Sequence, residues 1–182
     1  MSENKLVGSI PSSLFQLYSL QSLYLESNSF TSLPQMSSSP AGLVTFNASN
    51  NKLVGSIPSF IWSLPNVESL SLEKNSFTGT LPQSINLWKL SSLDLSANNL
   101  YGTLPSGFSL FSTIASLNLG SNKFTAVPSW IGAMSGLTFI DMSNNLITGT
   151  IASSWSALIK LQVLRLGRNS IGSTIPTVLG LL

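Results

Sequence analysis

The amino-acid sequence predicts an α/β-type solenoid, in which short coils stack and pair their strands into a parallel sheet. An asparagine recurs along the whole chain of 182 residues, at steps that alternate between 24 and 23 residues. An apolar frame precedes the asparagine in every coil but the first, and its last residues alternate with period two, as in a strand. A Gly-x-Ile/Leu-Pro block follows in four of the eight coils, and the block at residues 149–152 is a variant without the proline. A fixed period of this length is typical of solenoids.

The composition excludes most catalytic chemistry before any motif is considered. The chain has no histidine and no cysteine, which removes the Ser-His-Asp triad, thiol nucleophiles, disulfides and thiolate zinc sites. Charged residues make up 8% of the chain and the formal net charge is +2, which is too low for the basic surface of a nucleic-acid-binding protein. Hydrophobic residues make up 43%, which is too many for a disordered chain. We therefore expect a folded protein without cofactor or metal that is not an enzyme.

The repeating asparagine ends the frame L-x-x-L-x-L-x-x-N. A tight turn that is buried leaves backbone donors and acceptors that need partners. A carboxamide carries two donors and an acceptor, so it can bridge the turn of its own coil and that of the next coil. We therefore predict a structural ladder, with no active role, at Asn28, Asn51, Asn75, Asn98, Asn122, Asn145 and Asn169.

The Gly-x-Ile/Leu-Pro block turns the chain onto a second wall, because glycine tolerates a positive φ and proline fixes φ where no donor is needed. Apolar residues recur three and six positions after the proline position, and we expect both columns to lie in the core. The first column is Leu14, Ile61, Ile85, Phe108, Ile131, Trp155 and Leu179, and the second is Leu17, Leu64, Phe111, Met134 and Leu158. The run 36–42 has no such column, so it is predicted to be a mobile convex loop.

The extended motif L-x-x-L-x-L-x-x-N-x-L-x-G-x-I-P resembles the plant-type leucine-rich repeat. The resemblance covers residues 1–182 as a single domain, with about seven full coils and a partial N-terminal coil. It implies a right-handed superhelix with the parallel sheet on the concave face, irregular or 3-10 segments on the convex face and little regular helix.

The repeats are most similar to ectodomain repeats of receptor-like kinases and receptor-like proteins. That similarity implies a recognition module at the cell surface or outside the cell, with a protein, peptide or glycan ligand on its concave face. Two alternatives stay open. Polygalacturonase-inhibiting proteins share the repeat but carry cysteine-bearing caps, and an intracellular scaffold is compatible with the absence of cysteine.

Neither end of the sequence looks like the polar cap that a solenoid needs. We therefore expect a fragment of a longer protein that lacks both caps, and self-association through its uncapped ends. No stretch of 18 or more apolar residues is present, so no direct membrane contact is expected in this segment.

The outward positions of the strand frame supply the candidate binding surface, where most side chains are small and polar. Its candidate residues are Tyr24, Glu26, Asn47, Glu73, Asp94, Asn118, Phe139, Asp141, Arg165 and Arg168. A rival surface on the convex side would be formed by Phe15, Phe60, Trp62 and Trp130 if these aromatic residues were exposed. Burial is the favoured interpretation, because large aromatic side chains are mostly buried.

The concave wall also carries a pair of carboxylates and an N-glycosylation sequon. Asp94 and Asp141 share a column two coils apart, about 9–10 Å at the strand spacing, which approaches the separation of carboxylates in inverting glycosidases. Asn118 lies between them and no apolar pocket is indicated, so catalysis and calcium binding are both disfavoured. The sequon Asn47-Ala48-Ser49 would accept a glycan in a secreted protein, and that glycan would obstruct the wall.

Overall fold

A computed structural model describes residues 1–37, 39–172, 174–177 and 180. Its main feature is a seven-stranded parallel sheet, in which the strands of consecutive coils pair in order and the first and last strands form the edges. The strands are Ser22–Tyr24, Thr45–Asn47, Ser69–Ser71, Ser92–Asp94, Ser116–Asn118, Phe139–Asp141 and Val163–Arg165. The parallel sheet that the repeat frame predicts is confirmed.

A second wall of strands, two to four residues long, follows the asparagine of each coil. These strands also pair in parallel, in groups of two to four, and Ala126 forms an isolated bridge with Thr148. They are Val7–Ser9, Ser29–Ser32, Val54–Gly55, Ser76–Gly79, Asn99–Gly102, Lys123–Phe124, Thr148–Gly149 and Ser170–Ile171. In five coils the glycine of the Gly-x-Ile/Leu block has φ between 81° and 91°, so glycine is required there.

The opposite side of each coil contains 3-10 turns and irregular backbone, and the described residues contain no α-helix. Five 3-10 helices lie wholly within the described residues, and they are Ser12–Gln16, Ser59–Ser63, Ser106–Leu110, Ser129–Ala133 and Ser153–Ala157. Four of them begin directly after a proline with φ near −65°, the conformation that proline prefers. The fifth begins after Ala152, which has φ −72°.

The core runs between the two walls and fills with the apolar residues of the repeat frame. Most members of the two columns after the proline position are buried, as predicted. Leu17 is an exception: it is 54% exposed, because it lies in the first coil and only one neighbouring coil packs against it. Leu14, in the same coil, is only partly buried. Leu179 lies outside the described residues.

Three of the four convex aromatic residues that the sequence offers as a rival surface are core residues. Phe15, Phe60 and Trp62 are at most 3% exposed. Phe15 makes edge-to-face contacts with Phe46 and Phe60 at centroid distances of 5.5 and 5.2 Å. The interpretation of these residues as a rival interface is therefore wrong for all three.

Trp130, the fourth convex aromatic residue, is half-buried and packs its ring against Phe108 at a centroid distance of 6.3 Å. It lies over the edge of the core, as the favoured interpretation expects.

The segment predicted as a convex loop has no helix or strand over its described residues, 36–37 and 39–42. Met36 packs against the core, Pro40 is buried, and the Ser39 hydroxyl donates to the Phe60 carbonyl at 2.9 Å. Ser38 lies outside the described residues. The segment is therefore irregular but anchored, and its mobility stays a prediction.

The repeating asparagine connects adjacent coils through one buried carboxamide. Asn98 Oδ1 accepts the backbone N–H of Phe77 at 3.0 Å, and Nδ2 reaches the carbonyl of Leu72 at 3.0 Å. The same Nδ2 also lies 3.1 Å from the carbonyls of Leu95 and Ser96 in its own coil. Phe77 and Leu72 belong to the preceding coil, whereas the sequence analysis expected the next one.

All the remaining asparagines of the ladder make the same kind of hydrogen bonds. Each carboxamide oxygen accepts a backbone N–H of the preceding coil, and each nitrogen donates to backbone carbonyls of two coils. The other rungs are Asn28, Asn51, Asn75, Asn122, Asn145 and Asn169.

The residue before each asparagine adopts a left-handed conformation that the sequence analysis missed. The φ values lie between 50° and 56° at Glu3, Ser27, Asn50, Lys74, Ala97, Ser121, Asn144 and Arg168. A residue with a side chain loses about 1 kcal/mol or more in this conformation. The bonds of the adjacent asparagine therefore hold a turn that the backbone alone disfavours.

We expect Asn98→Ala to lower the free energy of unfolding by about 3 kcal/mol or more, because buried backbone groups of two coils lose their hydrogen-bond partner. Asn86→Ala is the control, since Asn86 is exposed and should change stability by about 0.5 kcal/mol or less. Urea unfolding of both variants measures the difference. Equal stabilities would contradict the structural role of the ladder.

Close packing between coils leads to a second prediction. A Cβ at Gly107 would lie 2.6 Å from the carbonyl oxygen of Gln83, so Gly107→Ala should cost about 1–3 kcal/mol through overpacking. Gly167→Ala is the matched control, because nothing lies within 4 Å of its added Cβ. Thermal unfolding should show a lower Tm for Gly107→Ala alone. A Gly107 variant as stable as the control would show that this contact relaxes freely.

Candidate functional site

The outward side chains of the seven-stranded sheet form one continuous surface, here called the strand wall. Its central column contains one residue from each strand, and the pairing register places these residues side by side. In order they are Tyr24, Asn47, Ser71, Asp94, Asn118, Asp141 and Arg165. Adjacent members are separated by the strand spacing of about 4.8 Å. The structure therefore brings most of the candidate residues together in one line.

The two aspartates of the column are bound to their own strand ends. Asp94 Oδ1 accepts the backbone N–H of Ser96 at 2.8 Å and the Ser96 hydroxyl at 2.6 Å. Asp94 Oδ2 accepts the carboxamide of Asn118 at 2.8 Å. Asp141 Oδ1 accepts the same two groups from Ser143, at 2.8 and 2.6 Å. Both carboxylates thus satisfy the backbone where the strand turns, and a carboxamide separates them.

Asparagine repeats this arrangement in two further coils. Asn47 Oδ1 accepts the N–H of Ser49 at 3.0 Å, and Asn118 Oδ1 accepts the N–H of Gly120 at 3.2 Å. A side-chain oxygen bonded to the N–H two residues later is a common way for Asn and Asp to form a turn. The middle of the strand wall is therefore a row of side chains that are fixed by their own backbone.

Arginine side chains define the last coils of the strand wall. The Arg165 guanidinium lies 5.5 Å from the centroid of the Phe139 ring and 3.5 Å from Asp141 Oδ2. Its side chain is 61% exposed, so the ion pair with Asp141 is a surface interaction of small energy. Arg168 reaches Asn144 Oδ1 at 3.4 Å. Both guanidinium groups are oriented by neighbours while most of their donors face solvent.

The first coils of the strand wall carry the opposite charge. Glu26 is half-buried, and its Oε2 is enclosed without a hydrogen-bond partner among the described residues. Glu73 lies 3.8 Å from Lys74 Nζ. Tyr24 is 47% exposed at the start of the column. The strand wall thus changes from an aromatic and acidic end to a basic end.

Several exposed aromatic residues outside the strand wall were missed by the sequence analysis. Tyr18 is 83% and Trp88 52% exposed on the convex side, and Tyr101 is 51% exposed on the second wall. Tyr18 directly follows Leu17 of the second apolar column, so its spacing could have identified it as an outward residue, whereas Trp88 lies six positions after Pro82 and its spacing predicts a core position. The convex side therefore presents aromatic residues other than those that were considered.

The part of the chain that the structure describes contains no group of three or more acidic residues that could hold a metal ion. Over the same residues, no helix is long and apolar enough to cross a membrane.

Comparisons with known proteins point to one family. Two models of the leucine-rich repeat match the sequence, one over residues 88–147 and the other over residues 42–64, 66–88 and 160–182. Together they account for more than half of the chain. No curated protein sequence matches it.

Solved structures give close structural matches. The ectodomain of the membrane receptor kinase GASSHO1/SCHENGEN3 from Arabidopsis thaliana, in complex with CASPARIAN STRIP INTEGRITY FACTOR 2, matches with a TM-score of 0.89 and 34% identity, over 97% of this chain and 22% of that chain. The Arabidopsis receptor kinase HAESA, in complex with the peptide hormone IDA and the co-receptor SERK1, matches with a TM-score of 0.90 and 30% identity. This match covers 99% of the present chain and 31% of that chain.

A bacterial protein matches as well. The Leptospira interrogans LRR protein LIC12759 has a TM-score of 0.85 and 32% identity, over 97% of this chain and 44% of that chain. The present chain therefore spans less than half of the length of each of these three structures.

The contacts of Asp94 give a prediction about the strand wall. Asp94→Ala should lower the free energy of unfolding by about 1–3 kcal/mol, because the Ser96 N–H and the Asn118 carboxamide lose their acceptor. Asp94→Asn keeps an acceptor oxygen and should lose less. Ser71→Ala is the control, since this neighbouring hydroxyl makes no hydrogen bond within the described residues. A loss in Ser71→Ala as large as in Asp94→Ala, measured by urea unfolding, would contradict the prediction.

Proposed function

The chain belongs to the leucine-rich repeat family, and we propose that its strand wall binds an extended peptide or protein segment as the recognition part of a receptor-like protein outside the cell. The observation that carries this proposal is the central column, one outward side chain from each of seven strands in unbroken register. An extended ligand can contact several coils at once along such a line.

Preorganisation supports binding on this surface. Four members of the column, Asn47, Asp94, Asn118 and Asp141, are held by hydrogen bonds to the backbone two residues later. A surface that is already ordered loses less conformational entropy when a ligand binds. The strand wall can therefore recognise a ligand without first being rearranged.

A few side chains on the strand wall are of the kind that contribute most to binding. Interface energy is concentrated in aromatic residues and arginine, whereas serine and threonine contribute little. Tyr24 stands at one end, and Phe139 with Arg165 stands near the other end, where the ring and the guanidinium already contact each other. We expect these three residues to anchor a ligand and the polar residues between them to provide complementarity.

The matched receptors support the class of ligand. The structures of the GASSHO1/SCHENGEN3 ectodomain and of HAESA contain a protein or peptide partner. Their sequences are 34% and 30% identical to this chain, over 97% and 99% of its length. The same matches support placement outside the cell, because both are parts of receptor kinases. Binding rather than catalysis is supported by the aspartates, whose Oδ1 atoms both accept hydrogen bonds from the ends of their own strands.

A selection experiment tests this proposal. A library of linear peptides displayed on phage is selected against the chain, and the dissociation constants of the enriched peptides are measured. We expect the double variant Phe139→Ala/Arg165→Ala to weaken binding by about tenfold or more, since both are anchor-type residues. Tyr101→Ala, on the second wall, is the control and should leave binding unchanged. Loss of binding in the control, with the double variant unaffected, would place the site elsewhere.

A further inference from the structure

One motif on the strand wall is not used by the proposed function. Asn47-Ala48-Ser49 satisfies the pattern Asn-x-Ser/Thr, and no other asparagine of the sequence does. Asn47 is the last residue of strand Thr45–Asn47, and its side chain is half-buried on the strand wall. The motif therefore lies at a defined place in the central column, between Tyr24 and Ser71.

The carboxamide of Asn47 differs from the others in which atom it uses. The ladder asparagines use both ends, and Asn98 Nδ2 for example reaches three backbone carbonyls. Asn118 Nδ2 donates to Asp94 Oδ2 at 2.8 Å. Asn47 uses only Oδ1, which accepts the Ser49 N–H at 3.0 Å, and over the described residues its Nδ2 donates to no protein atom. A substituent on Nδ2 would thus break no hydrogen bond of the fold.

The neighbours in the register leave room for such a substituent. Ser71 on one side is small and half-buried, and Tyr24 on the other side presents a ring that is 47% exposed. Ser49 itself is only 7% exposed, so the completed fold hides the residue that the motif requires. The modification therefore has to take place before this coil stacks on its neighbours.

We propose that Asn47 carries an N-linked glycan, and that this glycan confines ligand binding to the strand wall from Ser92–Asp94 onward. In the reaction, Asn47 Nδ2 bonds to the anomeric carbon of an oligosaccharide that is donated by a lipid pyrophosphate. The bond from that carbon to the pyrophosphate oxygen breaks, the lipid pyrophosphate leaves with the electron pair, and the carboxamide nitrogen loses one proton. The proposal rests on the proposed function for its placement outside the cell.

The size of a sugar explains why the glycan would exclude a ligand from the first strands. A pyranose ring is about as wide as the strand spacing of about 4.8 Å, so a branched glycan on Asn47 covers its neighbours on both sides. The covered strands are Ser22–Tyr24, Thr45–Asn47 and Ser69–Ser71. The part that stays open contains Asp94, Asn118, Asp141 and the arginine end. On the glycosylated chain Tyr24 packs on the glycan, so that of the three anchor residues only Phe139 and Arg165 remain open to the ligand.

The mass of the secreted protein tests the modification. The chain is expressed with a secretory leader in insect cells, with a second Asn-x-Thr sequon on a C-terminal tag to report that the glycosylation machinery acted. We expect the intact mass to show two glycans, and a peptide-N-glycosidase to remove both and leave aspartate at position 47. Asn47→Gln and Ser49→Ala should each show only the tag glycan. A native chain with a glycosylated tag and an unmodified Asn47 would overturn the proposal.

Binding measurements separate this proposal from the proposed function. Peptides selected on bacterially produced chain, which lacks the glycan, are compared for binding to the glycosylated form. Peptides whose affinity depends on Tyr24 should lose about tenfold or more on the glycosylated form, and peptides that depend on Arg165 should not. Equal binding of both groups would overturn the confinement. If no peptide binds either form, the proposed function fails while the mass result still decides the glycan.

Discussion

The whole structure depends on one interaction, the buried carboxamide that ties each coil to the one before it. A coil of about 23 residues has strands of two to four residues, which are too short to be stable alone. The carboxamide supplies an acceptor for the preceding coil and donors for carbonyls of both coils. Aspartate could not replace it, because an ionised carboxylate has no donor and would face those carbonyl oxygens. The number and kind of these hydrogen bonds therefore require asparagine at this position.

The same interaction sets the geometry of the strand wall. The bonds of Asn98 hold the left-handed turn at Ala97, and this turn follows directly on the strand Ser92–Asp94. Each strand therefore ends at the same point of its coil, and its outward residues align with those of the neighbouring strands. Asp94 and Asp141 then secure the strand ends from the outer side. The candidate binding surface is rigid because the core ladder and the outer turns hold the same short segment from two sides.

The periodicity of the sequence was sufficient to predict the strands, the ladder positions and most of the core, since each depends on side chains that repeat in register. The direction of the ladder bonds could not be predicted, because a carboxamide reaches equally well to either neighbouring coil. The left-handed turns were missed because residues such as Lys74 and Arg168 have no preference for them, and the cause lies in the next residue. Leu17 was placed wrongly since its burial depends on a neighbouring coil that its own segment does not reveal. The positions of the candidate site residues on one wall followed from the frame, but their mutual contacts required the structure.

The division between frame and strand wall explains how one scaffold can serve different ligands. Residues 4–31 and 51–78 are identical at 18 of 28 positions, and the identical residues include the ladder asparagine and the last two leucines of the frame. Tyr24 and Ser71 occupy the same place in these two segments, yet one is an exposed aromatic residue and the other a small half-buried hydroxyl. The fold accepts both, because neither side chain enters the core nor bonds to the ladder. Within one coil, the fold thus restricts which residues can occupy the inward positions and accepts different residues at the outward positions. Since Asp94, Asn118 and Asp141 are already satisfied by the chain itself, the selectivity of the strand wall rests on the few outward residues that are not.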